Sequence, residues 1–307
     1  MNEQTAPDEA VAPAVSILIP VHNRLEMTRA CLESIFANAD SSPSFEILVV
    51  DDGSTDGTAA YLDSLAPRVR ALPGATRESF AQKMNRAAPL AHGEFLCLLN
   101  NDTLVTPGWL ANLLAAAQRD SGIGVVGNLQ LTPGTERINH AGMVFDAQGN
   151  SHHLYEGQPA DFWPARISRE FQIVTAACWL VRKRVFLELG GFDPGYVNGF
   201  EDVDFCLRAR QSGYAIFYAG DSVIYHHGSS TPGRTDHEPA NAARFKSKWQ
   251  AAIVPDLEKF YLIPPVPPTF EIAKRYAYIE ELSERRPVIA SFLRTIIRLV
   301  TSVAKRL

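Results

Sequence analysis

Three continuous apolar runs, each followed by polar residues, constrain the fold more than any other feature of the sequence. The runs are VSILIPV at 15–21, FEILVV at 45–50 and EFLCLL at 94–99. Apolar runs of this length are typical of strands that are buried on both faces, as in parallel sheets covered by helices. Helix-spaced apolar residues lie between the runs, and strands that alternate with helices indicate βαβ units. The sequence therefore predicts an α/β fold with a mostly parallel central sheet flanked by helices.

Polar side chains follow each of the three predicted strands at its carboxyl end. They are Pro20-Val21-His22-Asn23-Arg24 after the first strand, Asp51 and Asp52 after the second, and Asn100, Asn101 and Asp102 after the third. Ligands of open parallel sheets bind beyond the carboxyl ends of the strands. Asp and Asn also favour turns, which would explain any one of these clusters alone. Three clusters on one edge of a sheet favour a ligand site.

Composition and charge limit the class of protein. The chain has 307 residues, of which 46% are hydrophobic and 21% charged, as in a globular protein with a large core. Its formal net charge of −5 argues against a broad nucleic-acid-binding face. The four cysteines form no CxxC pair and lie in apolar runs, which favours buried reduced thiols over zinc ligands or disulfides.

The ends of the chain and its apolar runs predict a cytoplasmic protein. Residues 1–14 are acidic, contain no apolar core of a signal peptide, and are predicted to form a disordered leader. The longest apolar run, 173–181, is too short to cross a bilayer.

A glycine pattern and an irregular stretch complete the pass along the chain. Residues 122–127 match G-x-G-x-x-G, but they follow a predicted helix and enter a strand, the reverse of a dinucleotide site. We interpret them as a turn that enters a strand, and no P-loop pattern is present. Residues 128–169 are rich in turn signals and predict hairpins and a long loop, and further strands are predicted at 214–219 and 222–226.

Six segments in order resemble glycosyltransferase family 2, which has the GT-A fold, and in particular its rhamnosyltransferase-like members that build bacterial cell-surface glycans. The segments are VSILIPVHNR (15–24), ILVVDDGSTDGT (47–58), FLCLLNNDTLVTPGWL (95–110), AACWLVRKRVFLELGGFDPGY (176–196), GFEDVDFCLRARQSGY (199–214) and YHHGSST (225–231). The resemblance implies a catalytic domain at 15–250. It also implies an enzyme that moves a sugar from a nucleotide diphosphate sugar to a hydroxyl group of a glycan or lipid-linked acceptor, with inversion.

The resemblance assigns donor-binding roles to the polar residues after the strands. Residues 20–24 would form a wall of the nucleotide site, and Asp51 or Asp52 would accept a hydrogen bond from the base. Asn85, with Lys83, lies where the family has a donor-contacting helix, although a solvated helix residue is an equal interpretation for Asn85.

The resemblance also implies a divalent cation, Mn²⁺ or Mg²⁺, beside the diphosphate. Asp102 would be a ligand, because Asn100, Asn101 and Asp102 occupy the position of the family's Asp-x-Asp motif. Asn100 replaces the first acid and can only make hydrogen bonds, for example to the ribose. His226 would be the second ligand rather than His227, since adjacent strand residues point to opposite faces. An imidazole ligand favours manganese.

Acidic residues at the start of a predicted helix, 201–212, match the family's general base. Asp202 has the position of the base, and Glu201 or Asp204 would orient the acceptor or pair with Arg208. The helix N-terminus favours the ionised carboxylates, and simple capping of the helix would also explain acids there. One base without a nucleophile suffices for inversion, as in inverting hydrolysis.

The C-terminal part, 251–307, predicts a proline-rich linker followed by an amphipathic helix. Residues 285–307 contain six basic and no acidic residues, beside an apolar stripe at helical spacing. Such a helix can lie on the inner face of the cell membrane. Packing on the catalytic domain, or on a second copy in a homodimer, is an equal alternative.

Two other functions remain open at this point. A non-catalytic sugar-nucleotide or glycan-binding module is favoured only by Asn100 in place of an acid. A sugar nucleotidyltransferase would need a glycine-rich basic loop after the first strand, and residues 21–24 are not one.

Overall fold

Strands and helices alternate through the first half of the chain, as the apolar runs predict. The computed structural model describes residues 12–74, 77–228 and 236–262. The strands are β1 (Val15–Val21), β2 (Phe45–Asp51), β3 (Arg70–Pro73), β4 (Phe95–Leu99), β5 (Thr103–Val105), β6 (Ile123–Thr132), β7 (Arg137–His140), β8 (Met143–Phe145), β9 (Ser151–His153), β10 (Arg169–Phe171), β11 (Cys178–Arg182) and β12 (Ala215–His226). The helices are α1 (Leu25–Ala37), α2 (Thr58–Ser64), α3 (Phe80–Ala87), α4 (Trp109–Gln118), α5 (Lys183–Glu188), α6 (Glu201–Gln211), α7 (Glu238–Trp249) and α8 (Leu257–Leu262).

One mixed sheet organises these elements. Its strand order is β10-β12-β6-β11-β4-β1-β2-β3, with β5 paired to β12 and β7 paired to β6. Of the eight strands on this path, six run in the same direction, and β10 and β11 run against them. The predicted α/β fold with a mostly parallel sheet is confirmed.

Each central strand is buried on both faces, which explains its continuous apolar sequence. In β1, Ile17 and Ile19 pack in a cluster with residues of α1 and α4. Leu18 lies in the opposite cluster, which contains residues of α3, α6 and α7. All four cysteines are buried and free, as predicted from their apolar surroundings.

The second half differs from the sequence prediction in one place. The predicted strands 214–219 and 222–226 are one strand, β12, because a register shift between Ala219 and Val223 lets the chain continue along β6. Gly122 lies in a turn after α4 and residues 123–127 lie in β6, so the glycine pattern follows a helix and enters a strand, as predicted. A Cβ at Gly127 would lie 2.8 Å from that of Val174, so a close backbone approach requires this glycine. Residues 128–169 contain β7 and the β8–β9 hairpin, as predicted.

The chain divides into two compact units, Met1–Pro255 and Asp256–Leu307. The second unit is described only as far as α8. Most of the predicted leader, and the amphipathic segment 285–307 with most of the linker before it, lie outside the described residues. Within the described ranges, no helix combines the length and the apolar character needed to cross a membrane.

Candidate active site

A cavity lies at the carboxyl ends of β1 and β4, where the sequence predicts a ligand site. Ten of the predicted site residues line it: Pro20, Val21, His22, Arg24, Asp52, Asn100, Asn101, Asp102, Glu201 and Asp202. Lys83, Arg77 and Glu78 also contribute to its wall. Four predicted residues do not line it: Asn23, Asp51, Asn85 and His226. The segments after three separate strands therefore meet the start of α6 around one space.

Asn23 and Asp51 hold the loops that frame the cavity. The parallel pairing of β1 and β2 places Val21 beside Asp51, which brings the loops after the two strands together. Asn23 then links them, because its Oδ1 accepts from Thr55 N at 2.8 Å and its N donates to Ser54 Oγ at 2.7 Å. Asp51 Oδ1 accepts from the Ser54 hydroxyl at 2.5 Å. Both side chains are engaged in the frame of the cavity.

Asp52 presents a buried carboxylate to the cavity. Its Oδ2 lies 3.2 Å from Lys83 Nζ, and its Oδ1 accepts from Glu78 N at 2.7 Å. Only 3% of Asp52 and 9% of Lys83 is exposed, so the charges are removed from bulk water together. The sequence places Lys83 with Asn85 on a predicted helix, and no local spacing indicates its pairing with Asp52, 31 residues away.

Asn85 is neither solvated nor directed at the cavity. Its Nδ2 donates to Phe192 O and its Oδ1 accepts from Phe192 N, both at 2.8 Å. The amide therefore fixes a loop 107 residues away along the chain. Sequence reasoning missed this role, because nothing in the local pattern of α3 indicates a distant backbone partner.

Asp102 and His226 come together because β5 pairs with β12. The pairing sets Thr103 opposite His226, and Asp102 Oδ1 lies 3.3 Å from His226 Nε2. His226 is 6% exposed, and neither of its ring nitrogens has a hydrogen-bond partner in the described part of the chain. Asn101 Nδ2 donates to Thr28 Oγ1 at 3.0 Å, which anchors the turn before Asp102. A buried imidazole without a hydrogen bond, beside a carboxylate, is suited to a metal ion.

The spacing of these two groups can be compared with known coordination distances. Protein ligands lie about 2.0–2.2 Å from small divalent ions, so neighbouring ligands of one octahedral ion are about 3 Å apart. The observed 3.3 Å between Oδ1 and Nε2 agrees with this value. Among the described residues, no group of three or more His, Cys, Asp or Glu side chains is arranged to hold a metal. Two protein ligands would leave the other positions to phosphate oxygens and water, as is usual for Mg²⁺.

Two further histidines lie near His226. Burial, together with the charges of His153 and His226, holds the pKa of His140 well below its ordinary value. Burial also lowers the pKa of His153, against the opposing effect of Glu156. Both are neutral imidazoles at neutral pH. They add no positive charge beside Asp102 and His226.

The acidic residues at the start of α6 have different surroundings. Asp202 lines the cavity, and its Oδ2 accepts from Ala176 N at 3.0 Å. Glu201 is 7% exposed and its Oε2 accepts from Gly199 N at 2.5 Å. Asp204 is fully buried and pairs with Arg208 at 2.8 Å, one of the two roles that the sequence suggested for it. The first turn of α6 thus offers the carboxylate of Asp202 to a bound molecule.

Comparisons with known proteins identify the family of the chain. The family described as "Glycosyl transferase family 2" matches residues 16–190, more than half of the chain. An uncharacterized protein, y4gI, of Sinorhizobium fredii is 33% identical over 76% of this chain and 26% of its own length. The O-antigen biosynthesis protein RfbC of Myxococcus xanthus is 34% identical over 71% of this chain and 18% of its own length. The chain therefore spans about a quarter or less of these two relatives.

A further relative is similar in length to this chain. Two solved structures share the fold of this chain. The N-acetylglucosaminyl-diphospho-decaprenol L-rhamnosyltransferase of Mycobacterium tuberculosis is 28% identical over 66% of this chain and 73% of its own length. GalNAc-T7, solved with UDP, GalNAc and Mn²⁺, has a TM-score of 0.61, 17% identity, and coverage of 88% of this chain and 55% of its own. The mannosyltransferase PcManGT of Pyrobaculum calidifontis, in complex with GDP-Man and Mn²⁺, has a TM-score of 0.57 and 17% identity. The match covers 94% of this chain and 87% of the mannosyltransferase. At this identity the two structures show a shared fold only.

Proposed function

The chain belongs to glycosyltransferase family 2, and from this premise we propose that it transfers a sugar from a nucleotide diphosphate sugar to a hydroxyl group of an acceptor. The observation that carries the proposal is that Asp52, Asp102 and Asp202, from three distant segments, line one cavity. Transfer needs a site for the nucleotide, compensation of charge on the diphosphate, and a base for the acceptor. One carboxylate is available near each of these tasks.

The donor would lie against the loops after β1 and β2. Residues 20–24 would flank the nucleotide, and the buried carboxylate of Asp52 would accept a hydrogen bond from its base. Asp52 Oδ2 lies 3.2 Å from Lys83 Nζ, and charge-assisted hydrogen bonds of a carboxylate are stronger than neutral ones. Asn100 and Asn101 line the same wall and offer amide groups to the ribose or phosphate. The ligands named with the two solved structures, UDP and GalNAc in one and GDP-Man in the other, support a nucleotide diphosphate sugar.

Asp102 and His226 would hold a divalent cation, Mn²⁺ or Mg²⁺. When bound, the ion would supply positive charge to the departing diphosphate. The fit of the residues rests on the 3.3 Å separation of Oδ1 and Nε2 and on the buried imidazole nitrogens of His226. The Mn²⁺ named with both solved structures supports the binding of a divalent cation. The imidazole favours manganese over magnesium.

Asp202 would be the general base. It is the acid of α6 that faces the cavity and is not buried, whereas Glu201 is 7% exposed and bonded to Gly199 N. Its Oδ2 accepts a hydrogen bond from Ala176 N at 3.0 Å, and the residue lies in the first turn of α6. The carboxylate would take the proton from the acceptor hydroxyl as that oxygen attacks the anomeric carbon. A single displacement of this kind inverts the configuration.

The acceptor would be a glycan or a lipid-linked sugar of the cell envelope. The relatives named for O-antigen biosynthesis and for a diphospho-decaprenol acceptor support this class. The basic segment 285–307, which lies outside the described residues, would bring the protein to such an acceptor at the inner face of the membrane.

Product analysis tests the function. The protein is incubated with UDP-, GDP- and dTDP-sugars, Mn²⁺, and free or polyprenyl-diphosphate-linked sugar acceptors, and the products are identified by mass spectrometry. We expect nucleoside diphosphate and a glycosylated acceptor in equal amounts. Binding without any turnover would instead establish a non-catalytic module. Transfer of a nucleoside monophosphate to a sugar phosphate would establish a nucleotidyltransferase.

A further inference from the structure

The loop that leads to the acids of α6 has an unusual backbone. Asn198 and Phe200, on either side of Gly199, have φ angles of 54° and 71°. Residues with side chains rarely adopt this left-handed conformation, and they keep it only where their surroundings enforce it. Such strain is frequent at functional sites, and here it directly precedes Glu201 and Asp202. The contacts that enforce it therefore bear on where the carboxylate of Asp202 lies.

Asn241 of α7 supplies one such contact. Its Nδ2 donates to Val197 O at 2.9 Å, and its Oδ1 accepts from Val197 N at 3.2 Å. The side chain is 4% exposed, lies 44 residues from Val197 in the sequence, and does not line the cavity. A carboxamide offers a donor and an acceptor side by side, so it can satisfy both backbone groups of one residue.

The opposite end of the same loop has a matching contact. Asn85 of α3 bonds to both backbone groups of Phe192 at 2.8 Å. A Cβ at Gly191 would collide with Asn85 Oδ1, so a glycine is needed where the amide approaches. Asn198 Oδ1 accepts from Phe80 N at 3.1 Å, which also ties the loop to the start of α3. The loop 192–200 is thus held at both ends by asparagines from two different helices.

We infer that Asn241 is a positioning residue for sugar transfer, which holds Val197 so that the strained turn 198–200 directs Asp202 into the cavity. The inference rests on the proposed function. Asn241 touches neither the donor side of the cavity nor the Asp102–His226 pair in any described contact. Its loss is therefore expected to lower kcat and to leave donor binding unchanged.

The variant Asn241→Asp tests the inference in the full chain. The introduced carboxylate can accept from Val197 N but repels Val197 O, whereas its protonated form can donate to that oxygen as the amide does. We expect kcat to fall about 100-fold at neutral pH, the loss that a displacement of about 1 Å can cause. The ratio of variant to unchanged kcat should rise again as the pH is lowered from 8 to 5. UDP or GDP affinity in the presence of Mn²⁺ should stay within about twofold.

A matched control and a second variant exclude a general loss of structure. Asn112→Asp makes the same change in α4. The Nδ2 of Asn112 donates to Asp221 O over 2.9 Å, and neither residue lines the cavity. It should leave kcat unchanged at every pH. Asn241→Ala removes both bonds without adding a carboxyl group, so it should lose kcat with no recovery at low pH. The inference is overturned if Asn241→Asp loses no more kcat than Asn112→Asp, or if it loses nucleotide affinity in parallel with kcat. It is also overturned if the ratio of the Asn241→Asp kcat to the unchanged kcat does not vary with pH.

Hydrogen exchange separates this inference from the proposed function. If the unchanged protein transfers no sugar, the proposed function fails by itself. The holding of the loop is then decided by the exchange rates of the Val197 and Gly199 amides, which should rise in Asn241→Ala and stay unchanged in Asn112→Asp. Equal protection of these amides in all three proteins would show that Asn241 does not hold the loop.

Discussion

The two sides of the cavity are built in different ways. The donor side consists of loops that follow β1, β2 and β4 directly, and the pairing of neighbouring strands sets their positions. The acid side consists of the loop 192–200 and the start of α6. This loop is held by side chains that lie 44 and 107 residues away in the sequence. Strand pairing therefore brings the donor-side loops together, and bonds between these adjacent loops, such as those of Asn23, fix them. The acid side is held instead by side chains from two other helices.

This difference leads to a functional expectation. Under the proposed function, changes on the donor side should alter binding or stability, because its groups would touch the nucleotide, the cation or one another. Changes on the acid side should alter the rate of transfer, because its groups would act on the acceptor hydroxyl. The following experiments separate the two sides.

The largest effect is expected for Asp202→Asn. The amide keeps the shape of the side chain but accepts no proton, so kcat should fall by about 10²–10⁴. The affinity for nucleoside diphosphate with Mn²⁺, measured by titration calorimetry, should stay nearly unchanged. Normal transfer by Asp202→Asn, together with lost transfer in Glu201→Gln, would move the base to the neighbouring residue.

Lys83→Met is expected to act on stability. It leaves the carboxylate of Asp52, whose side chain is 1% exposed, without its buried cation. Breaking such a pair costs about 3–5 kcal/mol of the free energy of unfolding, and the remaining bond from Glu78 N favours the lower value. Arg184→Met breaks the exposed pair with Glu188 and should lower the free energy of unfolding by about 1 kcal/mol or less. Urea titration of both variants and of the unchanged protein measures these losses. Equal losses in the two variants would mean that the Asp52–Lys83 pair is not a buried charge pair in solution.

Asp102→Ala and His226→Ala are expected to weaken nucleotide binding only when a divalent cation is present. In the presence of Mn²⁺, each should reduce the affinity for nucleoside diphosphate by about 10- to 100-fold. Loss of a residue that only supports a metal ligand already costs this much metal affinity. In EDTA each should bind like the unchanged protein. His152→Ala removes one partner of a comparable Asp–His pair, at 2.8 Å from Asp146, and should change neither value. If the unchanged protein binds equally well in Mn²⁺ and EDTA, the cation has no role in donor binding.

The smallest effect on the cavity is expected from removal of 285–307. The six basic residues should bind anionic vesicles, each contributing about 1 kcal/mol near the surface, and salt should weaken the binding. A chain that ends after Glu284 should lose co-sedimentation with such vesicles and keep its rate with a water-soluble acceptor. Unchanged co-sedimentation with a lower melting temperature or a split dimer would identify the segment as a packing element.

The donor side could be predicted from the sequence more fully than the acid side. Val15–Val21 was predicted residue for residue, because a strand buried on both faces needs an uninterrupted apolar run. Asp52, Asp102 and Asp202 follow such strands or begin a helix, so their places were also predictable. The roles of Asn85 and Asn241 were not, because their partners are backbone groups on distant loops. No sequence spacing records such a contact, and the same holds for the pairing that lengthens β12.

The anomeric configuration of the product tests the central claim most directly, since that claim is a single displacement in a cavity shared by the two sides. The glycosidic linkage of the product formed from an α-linked nucleotide diphosphate sugar is determined by proton NMR. One base and no protein nucleophile predict a β-linked product, with one nucleoside diphosphate released for each sugar transferred. An α-linked product would contradict the account, because retention requires a second displacement that Asp202 alone does not provide.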